Sequence, residues 1–336
     1  MITPYIKRIP GHKYSVQEYV SGIIKGDITI LSQAVTLIES AHYERRILAQ
    51  EIIEKCLACN GHSVRVGITG VPGAGKSTFI DTLGMYLIQK GHKIAVLAID
   101  PSSERTKGSI LGDKTRMEAL SHEKNAFIRP SPTAGSLGGV ARKTHETIIL
   151  CEAAGFDAIF VETTGVGQNE TAVHSMVDFF LLIQLAGTGD DLQGIKRGVM
   201  EMADGIIINK ADGDNMEKAG IAATHFRNAI HLFPAPASGW TPQVLTCSGY
   251  YANGIQEVWD MINDYMLFTK RNGYFERKRN EQAKYWMYES MFNLLHDAFY
   301  HHPEIARQLP VLEQKVINNE ISSFVAAKKL IDLFLR

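Results

Sequence analysis

This chain of 336 residues is short of cysteine, of net charge and of long apolar runs, and each shortage argues against a class of protein. Four cysteines (Cys56, Cys59, Cys151 and Cys247) do not suggest a disulfide framework. A formal net charge of −1 creates no basic field, which argues against duplex nucleic acid as the main partner. The longest apolar run, around Phe179 to Ala186, is too short to cross a bilayer. The opening Met1-Ile2-Thr3-Pro4-Tyr5 lacks the charged region and apolar core of a secretory leader, and it is not an Arg- and Ser-rich presequence. The expectation is a cytosolic protein. Metal-ligand spacing is also scarce. Cys56 and Cys59, with His62 nearby, have no second Cys/His pair to close a tetrahedral site, and both fit the inner stripe of a helix.

What is present is ordinary globular material, 45% hydrophobic and 21% charged, enough for one large α/β domain with additions. Residues 15–60 read as two helices, Ser15 to Lys25 and Ile28 to about Cys59. From residue 64, short apolar runs alternate with helical stretches, the pattern of a mostly parallel sheet with helices on both faces. The runs are Val64–Ile68, Ile94–Ile99, Ala126–Ile128, Ala158–Val161, Phe179–Leu185, Ile206–Ile208 and Val244–Leu245. In such sheets ligands bind beyond the carboxyl ends of the strands, so the polar residues that end these runs are the ones to examine. After Gly254 the chain is helical, with Pro303 and Pro310 as interruptions and a last helix from Ile321 to Leu335. The stripe of Ala283, Trp286, Met287, Met291, Leu294, Leu295 and Ala298 is either an oligomer surface or packs on its own domain. The basic stretch Arg271 to Lys284 reads as a solvated helix face. These boundaries give an N-terminal helical extension (1–60), an α/β core (61–268) and a C-terminal helical extension (269–336).

The core carries a phosphate-binding loop. Gly70-Val71-Pro72-Gly73-Ala74-Gly75-Lys76-Ser77-Thr78 fits G-x-x-x-x-G-K-[ST] and lies between an apolar run and a helix-compatible stretch. Its glycines let backbone N–H groups approach phosphate oxygens, and the helix N-terminus adds partial positive charge. Lys76 is placed to reach the β- and γ-phosphates, and the Ser77 hydroxyl to take one position on Mg²⁺. Asn209-Lys210-Ala211-Asp212 follows another apolar run and matches the N-K-x-D arrangement that reads guanine. The Asp212 carboxylate can accept from N1–H and the 2-amino group, and the Lys210 stem can lie over the base. A second base loop is expected at Thr246-Cys247-Ser248-Gly249-Tyr250, where backbone N–H groups would hold O6. Glu162, at the end of Ala158–Val161, can reach Mg²⁺, and Gly165 N–H can sense the γ-phosphate. Asp100 can approach the same ion or orient water, and Asp113 on a Gly-containing loop could order around it. Helix caps or turns are the alternative reading of these carboxylates. The acidic, Gly-rich loop from Gly187 to Lys196 sits where it could respond to nucleotide state.

Taken together, Gly67 to Ile80, Asp100 to Ser103, Gly108 to Met117, Arg129 to Gly139, Glu162 to Gln168 and Asp191 to Lys196 resemble the MeaB-type GTPases. These are the methylmalonyl-CoA mutase-associated GTPases, also known as ArgK. The resemblance implies a P-loop GTPase using GTP/GDP and Mg²⁺, and a homodimer joined through C-terminal helices. It further implies a chaperone for an adenosylcobalamin-dependent acyl-CoA mutase, methylmalonyl-CoA mutase first, which gates cofactor delivery from a cobalamin adenosyltransferase and protects or reactivates the mutase. By motif, Asp100 to Met117 would be a first switch, Glu162 to about His174 a second, and Leu185 to Lys196 a third facing the mutase. Lys76, Ser77, Asp100, Asp113 and Glu162 would form the Mg²⁺–phosphate centre. Gly249 stands where the family usually has Ala, and Lys107 where it usually has Gly. Three alternatives stay open: a nickel-delivery GTPase, which would need a Cys/His motif beside the switches; a kinase for a periplasmic transport protein; and a scaffold with a vestigial loop.

Overall fold

A computed structural model describes residues 14–40, 42–58, 63–100, 117–132, 137–163, 170–187 and 197–335. Each of the seven apolar runs lies in a strand: β1 Val64–Gly70, β2 Ile94–Asp100, β3 Ala126–Pro132, β4 Ala158–Thr163, β5 Phe179–Leu185, β6 Gly205–Asn209 and β7 Gln243–Thr246. They form one sheet in the order β3-β2-β4-β1-β5-β6-β7, and every neighbouring pair is parallel. β1 is central, and it is flanked by strands that come much later in the chain. Burial on both faces explains why these strands are apolar at nearly every position instead of alternating.

The described residues also form thirteen helices: α1 Val16–Ile24, α2 Ile28–Glu39, α3 Tyr43–Leu57, α4 Lys76–Gln89, α5 Glu118–Ser121, α6 Leu137–Ala153, α7 Glu170–His174, α8 Arg197–Met202, α9 Met216–Ile230, α10 Ile255–Arg271, α11 Tyr274–Tyr300, α12 Pro303–Ile317 and α13 Ser323–Phe334. One sheet face is closed by α4 and α10. There Phe79, Ile80, Leu83, Val258, Ile262 and Tyr265 meet Val66, Ile68, Phe179, Leu181 and Ile183. On the other face Gly67 leaves room for Phe180, Val173 and Val177, which brings α7 close.

The N-terminal segment forms three helices where two were expected. α1 begins with a reciprocal cap, in which Ser15 Oγ accepts from Glu18 N–H and Glu18 accepts from Ser15 N–H. α2 begins at Asp27, whose carboxylate accepts from Thr29 and Ile30. The expected long helix breaks after Glu39: Ser40 is extended and its hydroxyl accepts from His42 N–H. Short polar side chains compete in this way with helical hydrogen bonding. α2 and α3 pack on α6.

The chain divides into two compact units between Gln282 and Ala283. In the second, Phe299 and His302 meet Phe334 edge-on, and Ile305, Ala326 and Leu330 are buried. Pro303 occupies the first turn of α12, where its missing N–H costs nothing. Pro310 does not interrupt: α12 continues through it.

The basic stretch Arg271 to Lys284 is only in part a solvated face: Arg271, Arg277 and Lys284 are exposed, but Lys278 is buried and Arg279 half-buried, both in ion pairs. Arg279 donates from Nε to Asp178 Oδ1 at 2.8 Å and from Nη2 to Asp178 Oδ2 at 2.7 Å. Arg65 grips Glu152 through two bonds of 2.7 and 2.8 Å and gives its own N–H to Asp178. Lys278 Nζ donates to the Asp178 carbonyl at 2.8 Å and lies 3.6 Å from Asp204. Arg65, Asp178 and Asp204 begin or directly precede β1, β5 and β6, so the cluster fastens the first turns of α11 to the amino edge of the sheet.

Burial alone would raise the Asp178 carboxyl, but hydrogen bonds and charge from Arg279 and Arg65 outweigh it and hold it below the ordinary value. Arg279→Leu should therefore lower the unfolding free energy by about 3 kcal/mol at pH 7 in urea titrations, by stranding buried carboxylates. A group whose folded pKa is depressed contributes fully above its unfolded value of about 3.9 and loses that contribution as pH falls through the folded value. The gap between variant and parent should narrow in acid. Equal stability at pH 7 would refute the clamp.

Candidate nucleotide-binding site

Strand register brings the expected residues to one edge. Ile68 is level with Glu162, Gly70 with Ile183, Leu185 with Asn209, and Ile208 with Thr246. The loop after β1, the end of β4, the loop after β6 and the loop after β7 therefore open on the same side of the sheet.

The loop Gly70 to Gly75 leads directly into α4. Gly75 caps that helix with φ +81°, and a Cβ there would come within 2.8 Å of Asn209 Nδ2. Only glycine suits both the left-handed backbone and the close approach. Lys76 is buried and donates from Nζ to the carbonyls of Gly70 at 2.9 Å and Val71 at 3.3 Å. Its ammonium thus lies folded over the loop it follows. Ser77 Oγ donates to Glu162 Oε1 at 3.1 Å, joining the first turn of α4 to the end of β4. On the opposite face, Thr163 Oγ1 donates to Thr69 Oγ1 at 2.9 Å.

Asn209 is the junction of the site and is almost wholly buried. Its Nδ2 donates to the Ala74 carbonyl at 2.8 Å, and its Oδ1 accepts from Gly249 N–H at 3.0 Å. One amide therefore ties the phosphate loop to the second base loop. The Cys247 thiol lies 3.5 Å from the same Oδ1, and burial pushes its pKa up to about 12, so it stays protonated as a donor. Gly249 also packs on α4: a Cβ there would sit 3.1 Å from Phe79 Cα. Thr82 Oγ1 donates to the Gly249 carbonyl at 2.5 Å from the next turn of the same helix.

Lys210 adopts φ +58°, unusual for a non-glycine residue, and its Cε lies 3.8 Å from where a Gly75 Cβ would be. Its stem thus runs across the phosphate loop. Asp212 Oδ2 accepts from Ser248 Oγ at 2.6 Å, and Ser248 Oγ in turn accepts from Tyr251 N–H at 3.2 Å. Gly75, Thr78, Asn209, Lys210, Asp212, Ser248, Tyr250 and Tyr251 line a cavity of about 320 Å³. That volume suits a small ligand such as a nucleotide base.

Of the expected metal ligands, Ser77 and Glu162 are adjacent. Asp100 closes β2, two residues beyond Ala98, which is level with Glu162; its side chain falls outside the described residues. Asp113, Gly165, Lys107 and most of the three expected switches also fall outside them, as do Cys59 and His62. Cys56 is buried in α3. Among the described residues no three His, Cys, Asp or Glu side chains gather as a metal-binding group. Also among them, no helix is long and apolar enough to cross a membrane. Tyr251 is a lining residue that the sequence reading did not single out; its place directly after Tyr250 was the available signal.

The chain is similar to several known proteins. The profile of the methylmalonyl-CoA mutase-associated GTPase MeaB family matches residues 31–304. The chain is 46% identical over 273 residues to the GTPase ArgK of Escherichia coli, covering 81% of this chain and 82% of that protein. It is 43% identical over 329 residues to the mitochondrial methylmalonic aciduria type A homolog of Mus musculus, covering 95% and 79%. A crystal structure described as a LAO/AO transport system kinase superposes with a TM-score of 0.74 at 34% identity, covering 98% and 100%.

The Asn209 junction makes a direct prediction. Asn209→Ala leaves the Ala74 carbonyl and the Gly249 N–H without their partner, which should cost about 2 kcal/mol or more of stability. Denaturant unfolding measures it, and a loss under 0.5 kcal/mol would show that the amide ties nothing together.

Proposed function

The chain belongs to the MeaB family of methylmalonyl-CoA mutase-associated GTPases, and from that membership we propose that it binds and hydrolyses GTP to control an adenosylcobalamin-dependent acyl-CoA mutase. Methylmalonyl-CoA mutase is the first candidate for that partner, and a cobalamin adenosyltransferase is the proposed source of the delivered cofactor. One observation supports the reading above all others. A phosphate loop, the Ser77–Glu162 hydroxyl–carboxylate pair and an Asn–Asp base reader lie at one sheet edge, and Gly75 of the loop lines the cavity beside Asn209 and Asp212.

In the proposed reaction, water attacks the γ-phosphate in line with the departing GDP. Backbone N–H groups from Gly73 to Ser77 cradle the phosphates, aided by the N-terminus of α4. Lys76 exchanges its loop carbonyls for phosphate oxygens and stabilises charge as it develops. Ser77 Oγ and Glu162 Oε1 are hard oxygen donors of the kind that suits Mg²⁺, which when bound supplies charge neutralisation on the phosphates. Asp100 and Asp113 complete that set in the proposal. Asp212 holds the guanine edge, Lys210 covers a base face, and Asn209 keeps both loops in place.

No side chain outside this set is positioned by sequence as an arginine finger, so slow intrinsic turnover is proposed, faster once the mutase orders the switches. Output comes from the difference in mutase affinity between the GTP- and GDP-bound forms. The remaining parts of the proposal are a cytosolic location and a homodimer. The dimer would form through the C-terminal extension, where Met287, Met291, Leu294 and Leu295 leave α11 an exposed apolar stripe.

Asp212→Asn tests the base reading. The carboxylate accepts two guanine hydrogens, whereas an amide can donate to the 2-oxo group of xanthine. GTP affinity should fall about a hundred-fold, with XTP taking its place. Unchanged GTP preference would sink the assignment. Lys76→Ala should abolish phosphate release, and parent turnover should rise on adding the acyl-CoA mutase. A flat response to that enzyme would remove the chaperone role and leave the GTPase standing.

A further inference from the structure

The turn after β7 holds two large aromatic rings in water. Tyr250 is 80% exposed and Tyr251 62%, although both line the base cavity. Their centroids are 5 Å apart to within a tenth, at 4.9 Å, with planes at 86°, so each ring braces the other edge-on.

The turn that carries them is stiff. Ser248 N–H donates to the Asn253 carbonyl at 2.9 Å, and Ser248 and Asn253 form an isolated bridge across it. Tyr251 N–H is bound to Ser248 Oγ, which is itself bound to Asp212. Gly249 is held between Asn209 and α4, and Ala252 is kept at φ +59°, an uncommon backbone for alanine. A stiff turn that keeps two aromatic rings exposed is preorganised for a flat apolar partner, since little freedom remains to be lost on binding.

Given the guanine site proposed above, on which this inference rests, we propose that Tyr250 and Tyr251 form an aromatic wall of the base pocket, beside Lys210, and set how long the nucleotide stays bound. The ligand class is the purine ring of a nucleoside phosphate. The wall gives affinity but no choice between purines, because every base offers a π face. Discrimination stays with Asp212, which meets the base edge. The hydroxyls contribute little, and the rings carry the effect.

The experiment measures dissociation of GDP and of IDP, which lacks the 2-amino group, from the full-length parent, Tyr250→Ala, Tyr251→Ala, the double alanine variant and the double phenylalanine variant. Circular dichroism checks that each is folded. The double alanine variant should release both nucleotides about ten-fold faster, with the GDP:IDP affinity ratio of the parent retained, and the phenylalanine variant should behave as the parent. Parent-like release from a folded double alanine variant overturns the wall while leaving the guanine site intact. A changed GDP:IDP ratio also overturns it, by placing the tyrosines at the base edge. A parent that binds neither nucleotide overturns the guanine site, and the wall with it.

Discussion

The site depends on one buried amide. Asn209 is positioned by the end of β6, yet its hydrogen bonds reach the loop after β1 and the loop after β7. Loops of this kind carry many polar backbone groups and little apolar surface, so nothing in their own packing fixes their spacing. The amide supplies that spacing. It satisfies a carbonyl on one side and an N–H on the other, and it is shielded from competing water. Aspartate could not do this, because it offers no donor to the Ala74 carbonyl. Leucine would fill the space and leave both backbone groups unsatisfied.

A second constraint sits at the far edge of the same strands. Arg65, Glu152, Asp178, Lys278, Arg279 and Asp204 form a buried network where β1, β5 and β6 begin. His145 lies nearby and its pKa is pushed down to about 3, by burial first and by the Arg65 charge second, so it remains neutral. The two edges divide the work. The amino edge pairs buried charges and anchors a helix, whereas the carboxyl edge holds an open cavity with polar groups directed at it. In a parallel sheet this separation follows from the chain direction: right-handed crossovers place every strand-to-helix loop on one edge and every returning connection on the other.

The sequence revealed the carboxyl edge far better than the amino edge. Seven strands were legible because a doubly covered strand must be apolar throughout, and runs such as Phe179 to Leu185 have few other uses. The phosphate loop and Asn209 to Asp212 were legible because their chemistry needs fixed residue types at short, local spacing. The network at the amino edge was not. Lys278 and Arg279 are about a hundred residues from Asp178 in the chain, and in isolation they look like any basic helix surface. The break after Glu39 was hidden for a different reason. Ser40 fits a helical pattern as well as a capping one, and only its observed extended backbone decides between them. Tyr251 was missed because its role comes from a turn, and turns show no periodicity.

The Ser77–Glu162 bond shows how such a site can report what it holds. It joins the helix that receives phosphates to the strand that runs on toward residues 164–169, so it spans the step from ligand to surface. In the proposed function Ser77 and Glu162 would help to hold a divalent cation that offsets phosphate charge, and the demand on Glu162 would differ between triphosphate and diphosphate. The far end of β4 cannot absorb the difference: β4 pairs with β1 and β2 along its length and is buried throughout, and a close-packed sheet resists sliding. Any adjustment must therefore appear where the strand ends and its pairing stops. In the proposed function, the rigidity of the sheet would make the carboxyl edge the place where a change in phosphate number is felt by another protein.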